Sequence, residues 1–217
     1  MILVPVKNLQ NAKQRLSPLL SGDERRALAE AMLRDVLGTL AAWQECPPVA
    51  VVTGDALARK LAEEYSFDII QDRNDVSETD AISMATSMCQ GWGATSTLVI
   101  PADIPLVTAS ELQQVLQAAP ERGSVLVPSA DERGTNAVYR NPAALFPLRF
   151  GNDSFLPHRA AAQATGFPCV ELRLPGIALD VDTAADLGQL LAASGDSHAQ
   201  RLAREWHLAE NLLAAHS

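Results

Sequence analysis

A short segment near the C-terminus carries the most suggestive chemistry in the chain. Asp180 and Asp182 stand two residues apart in the apolar run Leu179–Thr183. In an extended strand, residues two apart point to the same face, so both carboxylates are expected to project together. Two like charges this close are unfavourable unless a cation lies between them. Because hard oxygen ligands suit magnesium, the pair predicts a Mg²⁺ site.

A third acid, Asp103, follows the apolar strand that ends at Ile100. Three acids at strand ends on an α/β scaffold indicate metal-assisted phosphoryl or nucleotidyl transfer. The alternative for the paired acids is a helix N-cap, with Asp182 or Thr183 capping a helix that begins at Ala184. Capping would explain one acid but not both.

Three cations follow the first predicted strand, Ile2–Val6, whose continuous apolar character is typical of a parallel strand buried on both faces. They are Lys7, Lys13 and Arg15. The loop after the first strand is where α/β nucleotide-binding proteins hold phosphates. The segment matches neither the P-loop nor the GxGxxG pattern, so a solvated basic loop is the alternative.

Two polar turns offer groups that could wrap a small phosphorylated acid. Arg133–Asn136 and Gly151–Ser154 provide backbone N–H groups, hydroxyls and one guanidinium. Ordinary turn chemistry is the alternative reading. His158 follows Ser154 by one helical turn, so it either reaches the same pocket or has a structural role. No GxSxG elbow surrounds Ser154, so it is not predicted as a nucleophile.

Repeated strand–helix alternation positions these residues and predicts an α/β fold with a doubly wound, mostly parallel sheet in three layers. Ligands on such sheets bind beyond the carboxyl ends of the strands, so Lys7, Asp103 and Asp180 are expected to converge. The expected strands are 2–6, 49–53, 67–70, 97–100, 124–127 and 170–174, with a further strand entered near 135. The expected helices are 21–40, 56–64, 79–89, 110–118, 158–165, 186–193 and 199–215.

Composition limits the classes of protein further. The 217 residues predict a single domain, 1–217, with an amphipathic helical tail, 194–217, that folds back or packs on a second subunit as a homodimer. A net charge of −9 argues against a nucleic-acid surface. No apolar run approaches the roughly 18 residues of a membrane span. The segment Met1–Lys7 is interpreted as a short apolar strand and not a signal peptide, because it lacks a basic n-region and a small-residue cleavage site, so the cytoplasm is the expected location. Three scattered cysteines, with no CxxC, are expected to be reduced thiols.

Five motifs in chain order resemble the 2-phospholactate/phosphoenolpyruvate guanylyltransferase family. Each motif alone is modest, but the five in register are specific. They run from about residue 2 to about residue 190, and a Glu24-Arg25 helix start lies among them. The motifs are Val4–Lys7 with Ala12–Leu16, Pro101–Pro105, Arg133–Ala137, Phe150–His158 and Pro175–Thr183.

The resemblance implies a nucleotidyltransferase fold of the glycosyltransferase-A type. It implies that GTP guanylylates a phospho-acid during biosynthesis of the deazaflavin coenzyme F-420, and that a downstream deazaflavin transferase takes the product. The implied ligands of Mg²⁺ are Asp103, Asp180 and Asp182. The implied acceptor site is Thr135, Gly151 and Ser154, with Asn136 and Arg133 beside them. The residues implied to face the GTP phosphates are Lys7, Lys13 and Arg15, which with Asp103 form the expected catalytic set.

The sequence leaves the substrates open at two points. Phosphoenolpyruvate, 2-phospholactate and 3-phosphoglycerate each present a phosphate and a carboxylate, so the acceptor is not assigned. Where the family carries Gly-Leu-Asn, this chain reads Asp75–Ala81, which leaves the base preference open. The alternatives are a nucleotidyltransferase of the same fold with another acceptor or base, and a non-catalytic nucleotide-binding protein. The tail beyond about Ser194 is expected to lie outside the family core.

Overall fold

A seven-stranded sheet forms the centre of the computed structural model, which describes residues 1–72, 77–151 and 153–208. The strand order is β3-β2-β1-β4-β6-β5-β7, and β6 is antiparallel to both neighbours while the other pairs are parallel. The predicted mostly parallel α/β sheet is therefore confirmed. The strands are β1 Ile2–Val6, β2 Val49–Thr53, β3 Asp68–Gln71, β4 Thr97–Val99, β5 Gly123–Pro128, β6 Thr135–Asn141 and β7 Cys169–Glu171.

Helices cover both faces of this sheet. Two short 3-10 helices, Leu9–Asn11 and Gln14–Leu16, shape the basic loop that was predicted without regular structure. In the part of the chain that is described, no helix is long and apolar enough to cross a membrane. The α-helices are α1 Gly22–Ala42, α2 Ala56–Glu64, α3 Glu78–Gly91, α4 Ala109–Gln117, α5 Phe155–Ala164, α6 Pro175–Ala178, α7 Ala184–Ala192 and α8 His198–Glu205.

Alternate side chains of the central strands enter two separate apolar clusters. Along β1, Ile2, Val4 and Val6 belong to the cluster shared with α1, whereas Leu3 belongs to the cluster shared with α3. All of β1 is buried, as the continuous apolar run predicted. Burial on both faces fixes the register of the strand, and with it the position of the loop that follows Val6.

The segment that carries the paired acids is not a strand, so that prediction was wrong. The short helix α6 precedes it, with Pro175 at its first position, where a missing N–H is tolerated. Residues 179–183 then run beside Asp103, with the Val181 amide donating to the Asp103 carbonyl at 3.1 Å. Thr183 is the N-cap of α7, in a capping box with Asp186. The capping alternative therefore holds for Thr183 and leaves Asp182 free of that role.

The C-terminal tail folds back onto the domain as far as residue 208. Helix α8 packs against α1, and buried Ala199 and Ala203 lie in the α1-side cluster. The buried Asp35 carboxylate accepts hydrogen bonds from the backbone amides of His198 at 2.7 Å and Ala199 at 2.9 Å. The predicted helix 199–215 extends beyond the described residues. The homodimer stays a prediction.

Replacing Asp35 by alanine is expected to destabilise the fold by about 2 kcal/mol, because two amides at the start of α8 lose their acceptor. Chemical denaturation would measure the loss, and limited proteolysis would test whether α8 detaches. Asp68→Ala, at an exposed strand position, is the control. An unchanged free energy of unfolding in Asp35→Ala would contradict this role for Asp35.

Candidate active site

Two adjoining cavities open beyond the carboxyl ends of the central strands. We call the larger, of about 440 Å³, the first-loop cavity, because residues 5–13 form much of its wall. The smaller, of about 270 Å³, is the β6 cavity, lined by residues 129–136 and by the loop around Gly151. Glu78, Pro101 and Asp103 line both cavities and therefore mark the boundary between them.

Every residue proposed from the sequence lines one of these cavities, although the functional roles stay predictions. Lys7 and Lys13 line the first-loop cavity, whereas Arg15 lines the β6 cavity. The three cations therefore do not share one surface. The other predicted site residues all line the β6 cavity, namely Asp103, Arg133, Thr135, Asn136, Gly151, Ser154, Asp180 and Asp182.

Lys13 lies between two of the predicted metal ligands. Its Nζ is 2.6 Å from Asp103 Oδ2 and 2.7 Å from Asp182 Oδ1, and its side chain is 7% exposed. Burial opposes the ammonium charge, but the two carboxylates outweigh it and raise the pKa of Lys13 above its usual range. Although burial disfavours the charge of Asp182, Lys13 lowers the pKa of that carboxyl. Lys13 is therefore the counter-ion of Asp103 and Asp182, whereas Asp180, the other member of the sequence pair, is not bonded to it.

Asp180 is held by a neighbouring side chain. Asn136 Nδ2 donates to Asp180 Oδ1 at 2.9 Å and to the carbonyls of Ile177 and Ala178 at 3.0 Å each. Asn136, predicted as a substrate ligand, therefore also positions the acidic segment. Burial, together with the charges of Asp103 and Asp182, raises the pKa of Asp180 to about 6. A carboxyl in that state gains stability when a cation approaches.

The donor chemistry fits a hard divalent cation. Six acidic residues and two arginines line the β6 cavity, an excess of negative charge that an anionic substrate would meet. Asp103 Oδ1 is buried and has no hydrogen-bond partner within residues 1–72, 77–151 and 153–208. Among the described residues no three side chains already form a metal-ligand cluster. Mg²⁺ usually takes one or two carboxylates and completes its shell with substrate phosphates and water, so a preformed cage is not required.

Buried polar contacts support the acceptor side of the β6 cavity. His158 is fully buried, and its Nε2 accepts from the Arg149 amide at 2.8 Å, so the neutral ring donates from Nδ1 to Thr135 Oγ1 at 2.9 Å. Ser154 Oγ lies 3.3 Å from the same hydroxyl. One O–H of the Ser154–Thr135 pair is therefore left to donate into the cavity.

His158 has the structural role rather than a place on the cavity wall. Burial, with a contribution from Arg140, lowers its pKa to about 4, so the ring is neutral at physiological pH. The Arg149 amide that it binds precedes Phe150 and Gly151, which line the cavity. His158 thus fixes both the Thr135 hydroxyl and the loop opposite.

Backbone geometry explains two further predicted residues. Gly151 has a φ of 123°, a conformation that favours glycine. Arg133 is exposed, and its Nε donates to Asp153 Oδ1 at 2.6 Å. Asn152, which stands between Gly151 and Asp153 in the sequence, lies outside the described part of the chain. Arg133 and Asp153 both line the β6 cavity.

Sequence reasoning missed three acids on the cavity walls. Asp131 accepts from Ser129 Oγ at 2.6 Å and from the Arg133 amide at 3.0 Å, so it shapes the turn that enters β6. Asp153 pairs with Arg133. Glu78 opens helix α3 in the stretch that departs from the family pattern, and that departure was the available signal. Burial and the nearby Asp103 raise the pKa of Glu78 to about 7.

Solved structures of other proteins share this fold. A protein described as a nucleotide-diphospho-sugar transferase from Desulfovibrio desulfuricans superimposes with a TM-score of 0.81 at 20% identity, covering 97% of this chain and 96% of its own. The CMP:2-keto-3-deoxy-manno-octonic acid synthetase complexed with CTP superimposes with a TM-score of 0.58 at 15% identity, covering 88% and 96%. The fold is that of nucleotide-diphospho-sugar transferases and cytidylyltransferases.

The chain belongs to the family described as CofC-like guanylyl transferases, whose sequence model matches residues 1–211. The phosphoenolpyruvate guanylyltransferase of Sphaerobacter thermophilus is 35% identical over 87% of this chain and 90% of its own. The 3-phospho-D-glycerate guanylyltransferase of Colwellia psychrerythraea is 32% identical over 93% and 95%. The 2-phospho-L-lactate guanylyltransferase of Methanothermobacter thermautotrophicus is 32% identical over 94% and 89%.

The family match corrects one expectation about the tail. The matched residues continue to 211, whereas the family core was expected to end near Ser194. Helix α8 therefore lies within the family match. Its backbone contacts with Asp35, and its packing on α1, make it part of the domain.

Proposed function

We propose that this guanylyltransferase transfers GMP from GTP to a small phosphorylated carboxylic acid and releases pyrophosphate. The observation that carries the proposal is the boundary at Asp103, where two cavities of different size and chemistry meet. The larger contains Lys7 and Lys13, which suit a triphosphate. The smaller contains the Ser154–Thr135 hydroxyls and Arg133, which suit a small phospho-acid.

The proposed reaction forms one bond and breaks one bond at the α-phosphorus of GTP. A phosphate oxygen of the acid attacks that phosphorus, and pyrophosphate leaves with the electrons of the broken Pα–O bond. A phosphate monoester is largely ionised near pH 7, since its second pKa is about 6, so no general base is required. The neutral, fully buried His158 agrees with a site that moves no proton.

In this proposal the protein contributes positioning and charge neutralisation. Mg²⁺ would be held by carboxylates from the set Asp103, Asp180 and Asp182, and when bound it would supply positive charge against the reacting phosphates. Lys7 and Lys13 would stabilise the departing pyrophosphate. Arg15 lines the β6 cavity, so its place in the proposal is beside the acceptor rather than beside the triphosphate.

The names of the relatives support the acceptor class and leave its member open. Three different acids, phosphoenolpyruvate, 2-phospholactate and 3-phosphoglycerate, appear in those names.

Within coenzyme F-420 biosynthesis, which the family implies, we propose that the product passes to a downstream deazaflavin transferase. The three free cysteines fit a reducing, cytoplasmic setting. A homodimer remains part of the proposal.

Pyrophosphate release tests the proposal. The protein would be incubated with Mg²⁺, with each of the three acids, and with GTP, ATP, CTP or UTP in turn. Release that requires GTP and one acid would support the proposal and identify the acceptor. Release with another nucleotide would contradict the base assignment. An absence of release with every pair would favour another acceptor or a nucleotide-binding role without catalysis.

Replacing Ser154 by alanine is expected to raise the KM for the acid about tenfold and to leave the KM for GTP unchanged. The reason is that the variant removes one of the two hydroxyls that serve the acceptor cavity, a loss of about one hydrogen bond. Steady-state kinetics with each substrate varied in turn would measure it. Ser87→Ala, at an exposed position of α3, is the control. A change in the KM for GTP alone would contradict the placement of Ser154 in the acceptor site.

A further inference from the structure

Glu78 is the acidic residue on the cavity boundary that the proposed chemistry does not use. It is half-buried, and with Asp103 it lines both cavities. Among the described residues its carboxylate has no hydrogen-bond partner, whereas Asp103 and Asp182 are paired with Lys13. A carboxylate placed where two anionic substrates meet needs a physical explanation.

Helix capping does not explain Glu78. An acid in the first turn of a helix favours the positive end of the helix dipole, but α3 has other groups for this purpose. Ser77 Oγ accepts from the Asp80 amide at 3.0 Å and donates to Asp80 Oδ2 at 2.6 Å. Asp80 is therefore the first-turn acid that completes the cap. Glu78 instead faces the cavities.

The chemistry of a carboxylate restricts what Glu78 can bind. An ionised carboxylate only accepts hydrogen bonds, and the phosphates of both substrates are also acceptors. The nucleoside half of GTP does present donors, namely the guanine N1–H and N2 amine and the ribose hydroxyls. A ligand that donates a hydrogen bond to the carboxylate would favour its ionised form.

We propose that Glu78 accepts hydrogen bonds from the nucleoside half of GTP and thereby selects the nucleotide. The proposal rests on the proposed function, which brings the α-phosphate to the boundary at Asp103. The nucleoside is attached to that same phosphorus, and Glu78 lies on that same boundary. Glu78 lies in the stretch Ser77–Ala81, where the sequence departs from the family pattern.

Calorimetric binding separates this inference from catalysis. Dissociation constants would be measured for GTP, inosine triphosphate, which lacks the N2 amine, and 2′-deoxy-GTP, which lacks one ribose hydroxyl. The proteins would be wild type, Glu78→Ala and Glu63→Ala, in which an exposed glutamate of α2 is the matched control. A thermal melt would confirm that each variant is folded.

We expect wild type to bind GTP about tenfold more tightly than one of the two analogues, since one hydrogen bond to a charged group is lost. In Glu78→Ala that preference should disappear, with GTP weakened to the level of the analogue. The analogue that is discriminated assigns the contact to the base or to the ribose. Glu63→Ala should behave as wild type.

Three results would overturn the inference. The first is a Glu78→Ala variant that still prefers GTP to the analogue as strongly as wild type does. The second is tighter binding of GTP by that variant, which would place Glu78 against the phosphates. The third is a change in the dissociation constant of the phospho-acid alone. A wild type that binds GTP selectively through Glu78 but releases no pyrophosphate would leave this inference standing while the proposed function failed.

Discussion

Replacing Asp182 by asparagine is expected to reduce turnover about 100- to 1,000-fold while the fold stays intact. The asparagine keeps an oxygen that can accept from Lys13, but it removes the negative charge that a metal ligand requires. The fold should survive because Thr183, not Asp182, caps α7. Steady-state kinetics of pyrophosphate release, together with thermal unfolding, would measure the two effects.

Asp68→Asn provides a charge-matched control at an exposed position of the edge strand β3, which is not among the residues that line either cavity. It should retain the turnover of wild type. Wild-type turnover in Asp182→Asn would remove Asp182 from the metal site. A loss of turnover that accompanies unfolding would leave Asp182 with a structural role only.

Replacing Lys13 by methionine is expected to lower turnover about 100-fold and to strengthen the response to magnesium. Without the ammonium, Asp103 and Asp182 lose their shared counter-ion, so the protein should lose about 1–3 kcal/mol of stability in the absence of metal. The same two carboxylates become available to Mg²⁺, so the rise in Tm on adding Mg²⁺ should exceed that of wild type.

Melting curves with and without Mg²⁺ would measure this competition between lysine and metal. Lys60→Met, at a surface lysine whose nearest carboxylate is 4.0 Å away, is the matched control. Equal Mg²⁺ shifts in wild type and Lys13→Met would show that Lys13 and the metal do not compete for these acids. Unchanged turnover would exclude Lys13 from the phosphate site.

Much of the fold could be read from the sequence because its signals are local. The continuous apolar run Ile2–Val6 indicated a doubly covered strand, and alternation of strands and helices indicated the sheet. The same reasoning placed Lys7 and Asp103, which follow β1 and β4, at one edge, whereas Asp180, also expected there, follows α6. Parallel strands end at a common edge, so a residue that follows a strand is placed without knowledge of its tertiary contacts.

The parts that failed depend on contacts between distant residues. The segment around Asp180 was expected to be a strand, but Asn136 binds the carbonyls of α6, which ends just before it. Nothing in the local sequence of Lys13 reveals that its ammonium lies between Asp103 and Asp182, and its place beside the GTP phosphates stays a prediction. Glu78 was not selected as a site residue, since only the packing of α3 places it on the boundary of the two cavities.

Isotope transfer would show whether the acid attacks the α-phosphorus of GTP. The wild-type protein would receive Mg²⁺, one of the three phospho-acids, and GTP labelled at either the α- or the γ-phosphorus. We expect the α label to enter a conjugate of GMP and the acid, while the γ label leaves in pyrophosphate. Transfer of the γ label to the acid, or its release as inorganic phosphate, would contradict nucleotidyl transfer.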